Sequence, residues 1–188
     1  NILKKEKTSV IYCSLGMLVD FCTKKKIKLY QKIRDVALLD KNSHYILGTG
    51  DDLDNSNLLP LPPNLFVFKS LPQKDLLKYC TIMINHGGLN SITECIFNEV
   101  PIIAYPPSHK ADHSSNSAKV VYHGLGLRGK IGRDSPRAIL RKINRIRNDY
   151  TWYQNNIRRM KKKFEQKNQS TDIVNIVESM ITNYERKQ

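Results

Sequence analysis

The chain alternates short apolar runs with longer stretches in which apolar residues recur at helical spacing. The apolar runs predict six strands, at residues 9–13, 44–47, 65–68, 81–85, 101–105 and 124–128. The longer stretches predict helices at residues 20–39, 74–79, 90–98 and 112–122, with a loop over 51–63 and an entirely helical pattern after Ser135. This alternation indicates an α/β protein with a Rossmann-like parallel sheet of about six strands, flanking helices and a C-terminal helical extension.

Polar clusters follow four of the predicted strands, at residues 14–16, 70–73, 86–91 and 106–113. In an open parallel sheet, ligands bind outside the carboxyl ends of the strands. The alternation therefore predicts that the four clusters meet at one edge of the sheet and form a binding site there.

The cluster at residues 86–91 carries the clearest chemistry. Two glycines lie between a strand and a helix that starts near Asn90, so the backbone can approach a ligand closely. Unpaired N–H groups and the dipole at a helix start favour a phosphate. His86 and Ser91 supply further donors, and Glu94, one turn into the helix, can accept from two neighbouring hydroxyls, as on a ribose.

A second interpretation of the same helix start needs no ligand. The run from Ser91 to Glu94 fits a capping box, in which the serine side chain caps the helix and the glutamate side chain bonds back to the serine backbone. The two roles are compatible with each other.

Beyond these local features, the sequence resembles the donor-binding signature of the family 1 UDP-glycosyltransferases, which include the macrolide and glucuronosyl types. The matching motifs are Leu71-Pro72-Gln73-Lys74-Asp75-Leu76-Leu77, His86-Gly87-Gly88-Leu89-Asn90-Ser91-Ile92-Thr93-Glu94, Glu99-Val100-Pro101, Asp112-His113 and Asn116. The resemblance implies the C-terminal lobe of a two-lobed GT-B enzyme. We therefore expect the chain to be part of a larger assembly, with an N-terminal acceptor-binding lobe in cis or as a separate chain.

The resemblance implies a role for each matching position. Gln73 and the backbone around Leu71 would lie against the uracil, Glu94 would bind the ribose hydroxyls, and Asp112 and His113 would face hydroxyls of the transferred sugar. Charge developing on the leaving diphosphate would be stabilised by His86, while the general base would belong to the other lobe. The residues expected around the diphosphate are Ser14, Gly16, His86, Gly87, Gly88, Asn90 and Ser91.

Four positions depart from the family pattern and leave the base and the sugar open. Ser70 stands where an aromatic residue usually stacks on the base, and Phe68 is a candidate replacement. Met17 replaces a small hydroxyl residue, Glu99 replaces a glycine, and His113 replaces the usual glutamine at the sugar.

Composition adds a strong basic bias to this picture. The 188 residues carry a formal net charge of +14, and residues 135–188 contribute 13 basic against 5 acidic side chains. We expect a nucleotide-sugar-binding core over residues 1–134 and basic helices over 135–188 packed on the same domain. Those helices suit a solvated face, peripheral contact with an anionic membrane or contact with the other lobe. No nucleic-acid reader motif is present in the sequence, so we expect no nucleic-acid partner.

The cysteines bear on the compartment. The four, at positions 13, 22, 80 and 95, form no C-x-x-C pair, which favours buried free thiols in a reducing environment. We therefore expect a cytoplasmic protein, with the inner membrane surface as a further option. We expect no cofactor and no metal, because N–H groups and side chains can meet the phosphate charge.

The resemblance implies that the full-length protein is an inverting glycosyltransferase. It would transfer a hexose from a UDP-sugar to a hydroxyl on a small molecule or lipid, and this chain would be inactive alone. Two alternatives remain at this stage. A nucleotide-sugar epimerase lobe would change the sugar without an acceptor, and a non-catalytic nucleotide-sugar-binding module would fit the departures at Ser70 and Met17.

Overall fold

The computed structural model of the chain describes residues 9–16, 23–51, 53–107, 112–170 and 181. Within these residues six strands form one sheet in the order β3-β2-β1-β4-β5-β6, and every neighbouring pair is parallel. The strands are β1 (Ser9–Ser14), β2 (Ser43–Gly48), β3 (Leu65–Phe68), β4 (Ile82–Asn85), β5 (Ile102–Ala104) and β6 (Gly126–Arg128). The predicted α/β fold with a six-stranded parallel sheet is confirmed.

Helices connect the strands and continue beyond the last one. They are α1 (Thr23–Leu39), α2 (Gln73–Leu77), α3 (Leu89–Phe97), α4 (Asp112–Tyr122), α5 (Pro136–Asn148) and α6 (Tyr150–Ser170). The helical pattern after Ser135 is thus two helices, and the break falls at Asp149, which follows the end of α5.

The prediction of a loop over residues 51–63 was wrong for one short stretch. A 3-10 helix occupies Asn55–Leu58, and Asp54 caps its start. The Asp54 carboxylate accepts the Ser56 backbone N–H at 2.9 Å and the Ser56 hydroxyl at 2.6 Å. The short polar residues that indicate a loop are also those that cap a helical turn, which is why composition alone did not separate the two.

The four central strands, β1, β2, β4 and β5, contribute to two separate cores, because successive side chains point to opposite faces of the sheet. On β1, Ile11 and Cys13 pack on the face that α1 and α5 cover. Val10 and Tyr12 pack on the opposite face, with residues of α3 and α6. Burial on both faces is usual for a parallel sheet and explains why the strands are continuous apolar runs.

The C-terminal helices are tied to the sheet region by apolar packing and by ion pairs. Arg147 of α5 donates to Asp40 Oδ2 at 2.8 Å, and Arg158 of α6 donates to Glu99 Oε2 at 2.7 Å. Part of the basic excess is therefore neutralised by acidic residues of the sheet region. One side of α5 is fully buried in the core on the α1 face, through Ile139, Ile143 and Ile146.

Two further findings concern the described residues alone. Cys13, Cys80 and Cys95 are buried free thiols, as predicted, while Cys22 lies outside the described residues. Burial raises the pKa of Cys80 to about 12, so its thiol stays protonated at pH 7.

None of the helices in the described ranges has the length and apolar content that a membrane crossing requires.

Substituting Ile143 by alanine tests how firmly α5 belongs to this core. Ile143 is fully buried, so we expect Ile143→Ala to lower the free energy of unfolding by about 2–5 kcal/mol. Chemical denaturation followed by circular dichroism measures this value. The matched variant Arg137→Ala, at an exposed position of the same helix, should change stability by less than about 0.5 kcal/mol. Equal effects of the two variants would contradict the packing described.

Candidate functional site

The segment that joins β4 to α3 lies at the carboxyl edge of the sheet and leaves a helix start without a side-chain cap. Gly88 is the N-cap residue, and no side chain hydrogen-bonds to the helix start there. The backbone N–H groups of the first turn, from Leu89 to Ser91, have no partner within the helix. They can therefore meet an anion, and a negative charge would also be favoured by the helix dipole.

The capping-box interpretation of Ser91 is wrong. A capping serine must stand just outside the helix, whereas the chain is already helical at Leu89 and Ser91 lies inside the first turn. The Ser91 hydroxyl instead accepts from the Gln73 side chain at 3.2 Å. The helix also begins one residue earlier than predicted, directly after the second glycine.

The glycine segment is held in place by both flanking elements. Gly87 has a φ of +88°, and its N–H donates to Asn85 Oδ1 at 2.9 Å. From α4, Asn116 donates to the Gly87 carbonyl at 3.2 Å, and a Cβ at Gly87 would lie only 2.5 Å from Ser117 Oγ. A side chain at this position would displace the segment from α4, so glycine is required for the close approach.

His86 lies in a narrow slot between the end of β1 and the start of α3. A Cβ on Gly16 would lie 2.8 Å from His86 Cε1, and a Cβ on Gly88 would collide with its Nε2. The ring is 5% exposed, and its Nδ1 is buried without a hydrogen-bond partner among the described residues. His113 of α4 packs edge-on against it, with ring centroids 4.8 Å apart. The structure thus brings together four of the predicted site residues.

Burial makes His86 a neutral side chain at pH 7. Desolvation by burial, with smaller contributions from His113 and Lys26, lowers the pKa of His86 to about 4. A neutral imidazole can donate one hydrogen bond and accept one, so His86 acts here as a polar contact and not as a resident cation.

A second group of predicted residues is joined by hydrogen bonds beside this slot. Gln73 Nε2 donates to Glu94 Oε2 at 2.6 Å and to Ser91 Oγ at 3.2 Å. The Tyr12 hydroxyl donates to Gln73 Oε1 at 3.3 Å. Burial raises the pKa of Tyr12 to about 12, so this hydroxyl stays protonated. The network orients the Gln73 amide and the Glu94 carboxylate toward the same edge.

A small cleft of about 160 Å³ opens next to the network, at the ends of β1 and β2. Four of the predicted residues line it: Ser14, Gly16, Leu71 and Gln73. The sequence interpretation missed five others in the lining: Tyr12, Gly48, Gly50, Asp51 and Lys69. Tyr12 lies inside a strand predicted to be buried, and only the observation that its long side chain ends beside Gln73 reveals it.

Lys26 is a second residue that the sequence interpretation missed. It lies on α1, is only 1% exposed, and is close enough to His86 to lower that histidine's pKa. Position 26 falls within the basic run at residues 24–28, and nothing in that run distinguishes its buried lysine from its exposed neighbours.

The remaining predicted positions differ in their exposure and in whether they line the small cleft. Asn90 and Asp112 are exposed in the first turns of α3 and α4. Phe68, the candidate replacement for an aromatic at Ser70, is 43% exposed, whereas Ser70 itself lines the small cleft. Met17 lies outside the described residues. Across the described ranges, no group of three His, Cys, Asp or Glu side chains is placed to hold a metal ion.

Comparison with known proteins gives a family match over most of the chain. A family model described as erythromycin biosynthesis protein CIII-like, C-terminal domain, matches residues 33–180. The chain is 30% identical to the NDP-glycosyltransferase YjiC of Bacillus subtilis over 91 residues, which is 48% of this chain and 23% of that protein. It is 31% identical to human UDP-glucuronosyltransferase 2B7 over 94 residues, 49% of this chain and 17% of that protein. An uncharacterized glycosyltransferase of Methanosarcina acetivorans is 30% identical over 138 residues, 71% of this chain and 35% of that protein.

Solved structures show the same fold. The glycotransferase of kitacinnamycin superposes with a TM-score of 0.75 at 23% identity, covering 87% of this chain and 41% of that one. Os79 from O. sativa, in complex with UDP, superposes with a TM-score of 0.70 at 23% identity, covering 86% and 37%. The chain therefore spans less than half the length of each of these relatives.

The buried, neutral His86 predicts a pH dependence of stability. The pKa is 6.5 for an ordinary histidine and about 4 for His86 in the folded chain, so the unfolded chain takes up this proton first as pH falls. Between pH 6.5 and pH 4 the wild type should therefore lose up to about 3 kcal/mol more stability than His86→Gln. Urea unfolding at pH 7, 5.5 and 4 measures the difference.

The control for this experiment is His123→Gln, because His123 is exposed. Its stability should follow that of the wild type across the same pH range. If His86→Gln also follows the wild type, the histidine is not held neutral by its surroundings.

Proposed function

This chain belongs to the erythromycin biosynthesis protein CIII-like C-terminal domain family, and from that membership and the geometry around α3 we propose that it is the donor-binding lobe of a glycosyltransferase. The full-length enzyme takes a hexose from a UDP-sugar and transfers it, with inversion, to a hydroxyl on a small molecule or lipid. An acceptor-binding lobe, in cis or on a separate chain, completes the enzyme. The names of the relatives as glycosyltransferases, and the UDP complex of Os79, favour transfer over epimerisation and over a non-catalytic module.

One observation supports the proposal most strongly. Side chains that suit a nucleoside lie directly beside a helix start that has no side-chain cap. Glu94 and Ser91 project from α3, and Gln73 joins them from α2. The same first turn of α3 offers free N–H groups at Gly88 and the residues after it. A nucleoside diphosphate presents a base, two ribose hydroxyls and a diphosphate in the order that suits Gln73, Glu94 and the start of α3.

In the proposed complex the diphosphate lies against the start of α3. The N–H groups of Leu89, Asn90 and Ser91 donate to phosphate oxygens, and the absence of side chains at Gly87 and Gly88 allows close approach. The hydroxyl of Ser14, at the end of β1, adds a donor from the opposite side. Backbone donors of this kind supply sequence-independent charge stabilisation in a fixed geometry.

His86 and Lys26 add side-chain contributions beneath that site. The neutral His86 ring has one N–H group, which can donate to a phosphate oxygen. Lys26 adds positive charge from α1, where burial reduces screening by water. Both favour the charge that develops on the leaving diphosphate as the sugar is transferred, which is the catalytic role proposed for His86.

The nucleoside occupies the small cleft at the ends of β1 and β2. Glu94 accepts the ribose hydroxyls, and the Gln73 amide and the Leu71 backbone contact the uracil edge. Ser70 gives the base no aromatic platform, so base recognition depends on these polar contacts. Tyr12 keeps the Gln73 amide oriented by donating to its oxygen.

The transferred sugar lies beyond the diphosphate, toward the segment that follows β5. Asp112 and His113 begin α4 there, and their side chains offer a carboxylate and an imidazole to sugar hydroxyls. His113 also packs against His86, which couples the sugar end of the site to the diphosphate end.

Replacing Glu94 tests the nucleoside assignment. We expect Glu94→Ala to weaken UDP binding by about 1–3 kcal/mol, because a charged acceptor of hydrogen bonds is lost. Since Glu94 also holds Gln73, the sharper readout compares UDP with 2′,3′-dideoxyuridine diphosphate by calorimetry. The wild type should prefer UDP, and the variant should bind the two equally.

The control is Glu99→Ala, which removes a carboxylate that pairs with Arg158 outside this site. It should keep the wild-type preference for UDP. If Glu94→Ala keeps that preference as well, Glu94 does not contact the ribose and the proposed orientation of the nucleotide fails.

We further propose that α6 makes peripheral contact with an anionic membrane from the cytoplasmic side. Glu99 neutralises Arg158, whereas Arg159, Lys162 and Lys163 are exposed on the same helix. Each exposed basic residue near an anionic surface contributes about 1 kcal/mol. Such contact would suit a lipid acceptor.

Vesicle co-sedimentation tests the membrane contact. The chain should bind vesicles of equal parts phosphatidylglycerol and phosphatidylcholine, and charge reversal at Arg159, Lys162 and Lys163 should abolish that binding. Undiminished binding by the charge-reversed variant would assign the contact elsewhere.

A further inference from the structure

A second, larger cleft opens at the same edge of the sheet, with a volume of about 690 Å³. It lies between the N-terminal part of α1 and the segments that follow β5 and β6. Of its lining residues that the structure describes, five are cationic and none is acidic: Lys25, Lys28, Arg128, Lys130 and Arg133. This cleft is strongly positive, and nothing in the proposed donor complex uses it.

The segment that carries two of these cations is fixed to the core. The Gly129 N–H donates to the Ala104 carbonyl at 2.8 Å. Lys32 Nζ donates to the carbonyls of Ile131 and Asp134, at 2.6 Å each, and the Ile131 side chain is buried. The backbone between β6 and α5 is therefore held in one conformation, and the exposed side chains of Lys130 and Arg133 start from fixed positions.

The neighbouring acid does not neutralise the cleft. Asp134 Oδ2 is 2.9 Å from Lys142 Nζ, and it accepts from the Tyr105 hydroxyl at the same distance. Burial alone would raise the pKa of Asp134, but these hydrogen bonds hold that pKa below its usual value. Its negative charge is thus paired with Lys142, which does not line the cleft.

Arg128 links the cleft to the sugar end of the donor site. Its Nη2 donates to Ser114 Oγ at 2.9 Å, and Ser114 follows His113 directly. Its Nε is buried and has no hydrogen-bond partner among the residues described. The guanidinium, which also lines the basic cleft, therefore lies between that cleft and the first turn of α4.

The order of the strands sets the order of the subsites along this edge. The nucleoside cleft lies at β1 and β2, the diphosphate loop follows β4, and the sugar-facing residues follow β5. The basic cleft borders the sugar-facing residues, between the N-terminal part of α1 and the segments that follow β5 and β6. A group bound there would adjoin the transferred sugar and not the nucleoside cleft, so it could belong to an acceptor that meets the sugar.

We propose that this basic cleft binds an anionic group, a phosphate or a carboxylate, carried by the acceptor. The inference rests on the proposed function, because it requires a donor sugar at the start of α4. Five cations without an acidic neighbour in the lining favour an anion, and the fixed backbone limits the ordering cost of binding it. The acceptor would be recognised at this anion while its hydroxyl meets the sugar.

The test uses phenyl phosphate and benzoate as probes of the two anion types, with the chain saturated by UDP. Amide chemical shifts should change at residues 128–133 on adding either probe. Charge reversal at two cleft positions, Lys130→Glu with Arg133→Glu, should weaken probe binding at least tenfold. The matched control, Lys41→Glu with Lys119→Glu, makes the same charge change at exposed positions outside the cleft and should leave probe binding within twofold of wild type.

Two results would overturn the proposal. The first is probe binding that is unchanged in the cleft variant, or equally weakened in the control. The second is a preference for an anionic donor sugar. If the wild type binds UDP-glucuronic acid at least tenfold tighter than UDP-glucose, and only the cleft variant loses that preference, the anion belongs to the donor sugar and not to the acceptor. UDP binding is measured in the same samples, so a chain that binds the probes but not UDP would refute the proposed function separately.

Discussion

The start of α3 is the constraint on which the site depends. A helix that begins without a side-chain cap leaves several N–H groups unsatisfied, and at a sheet edge these groups need either water or an anion. The surroundings maintain this arrangement: Gly87 is fixed by Asn85 and Asn116, and His86 fills the space beneath it. Because backbone N–H groups can bind an anion here, the site needs few charged side chains. A buried neutral histidine is compatible with such a site.

The strand order then distributes the rest of the chemistry along one edge. Polar side chains at the ends of β1 and β2 suit a nucleoside, the glycine segment after β4 suits a diphosphate, and the first turn of α4 suits a sugar. The basic cleft borders the sugar end of this series, between α1 and the segments that follow β5 and β6. The net charge of +14 therefore divides among distinct places: the cleft, ion pairs such as Arg147 with Asp40, and the exposed face of α6.

The sequence predicted the six strands because they are short apolar runs, of which the four central ones are buried on both faces. It predicted the edge because parallel strands end together. It brought out Gln73, Ser91 and Glu94 through a spacing shared with a known family, and the structure joins all three by hydrogen bonds. It could not reveal Tyr12 or Lys26, since strand and helix patterns do not show where a long side chain ends. It also misassigned the helix start, because a capping sequence and a ligand-facing turn use the same small polar residues.

A crystal structure of the chain with UDP tests the central claim most directly. The account predicts phosphate oxygens within about 3.2 Å of the N–H groups of Gly88 to Ser91, with the ribose hydroxyls at Glu94. A diphosphate bound away from the start of α3, for example among Arg128, Lys130 and Arg133, would contradict it.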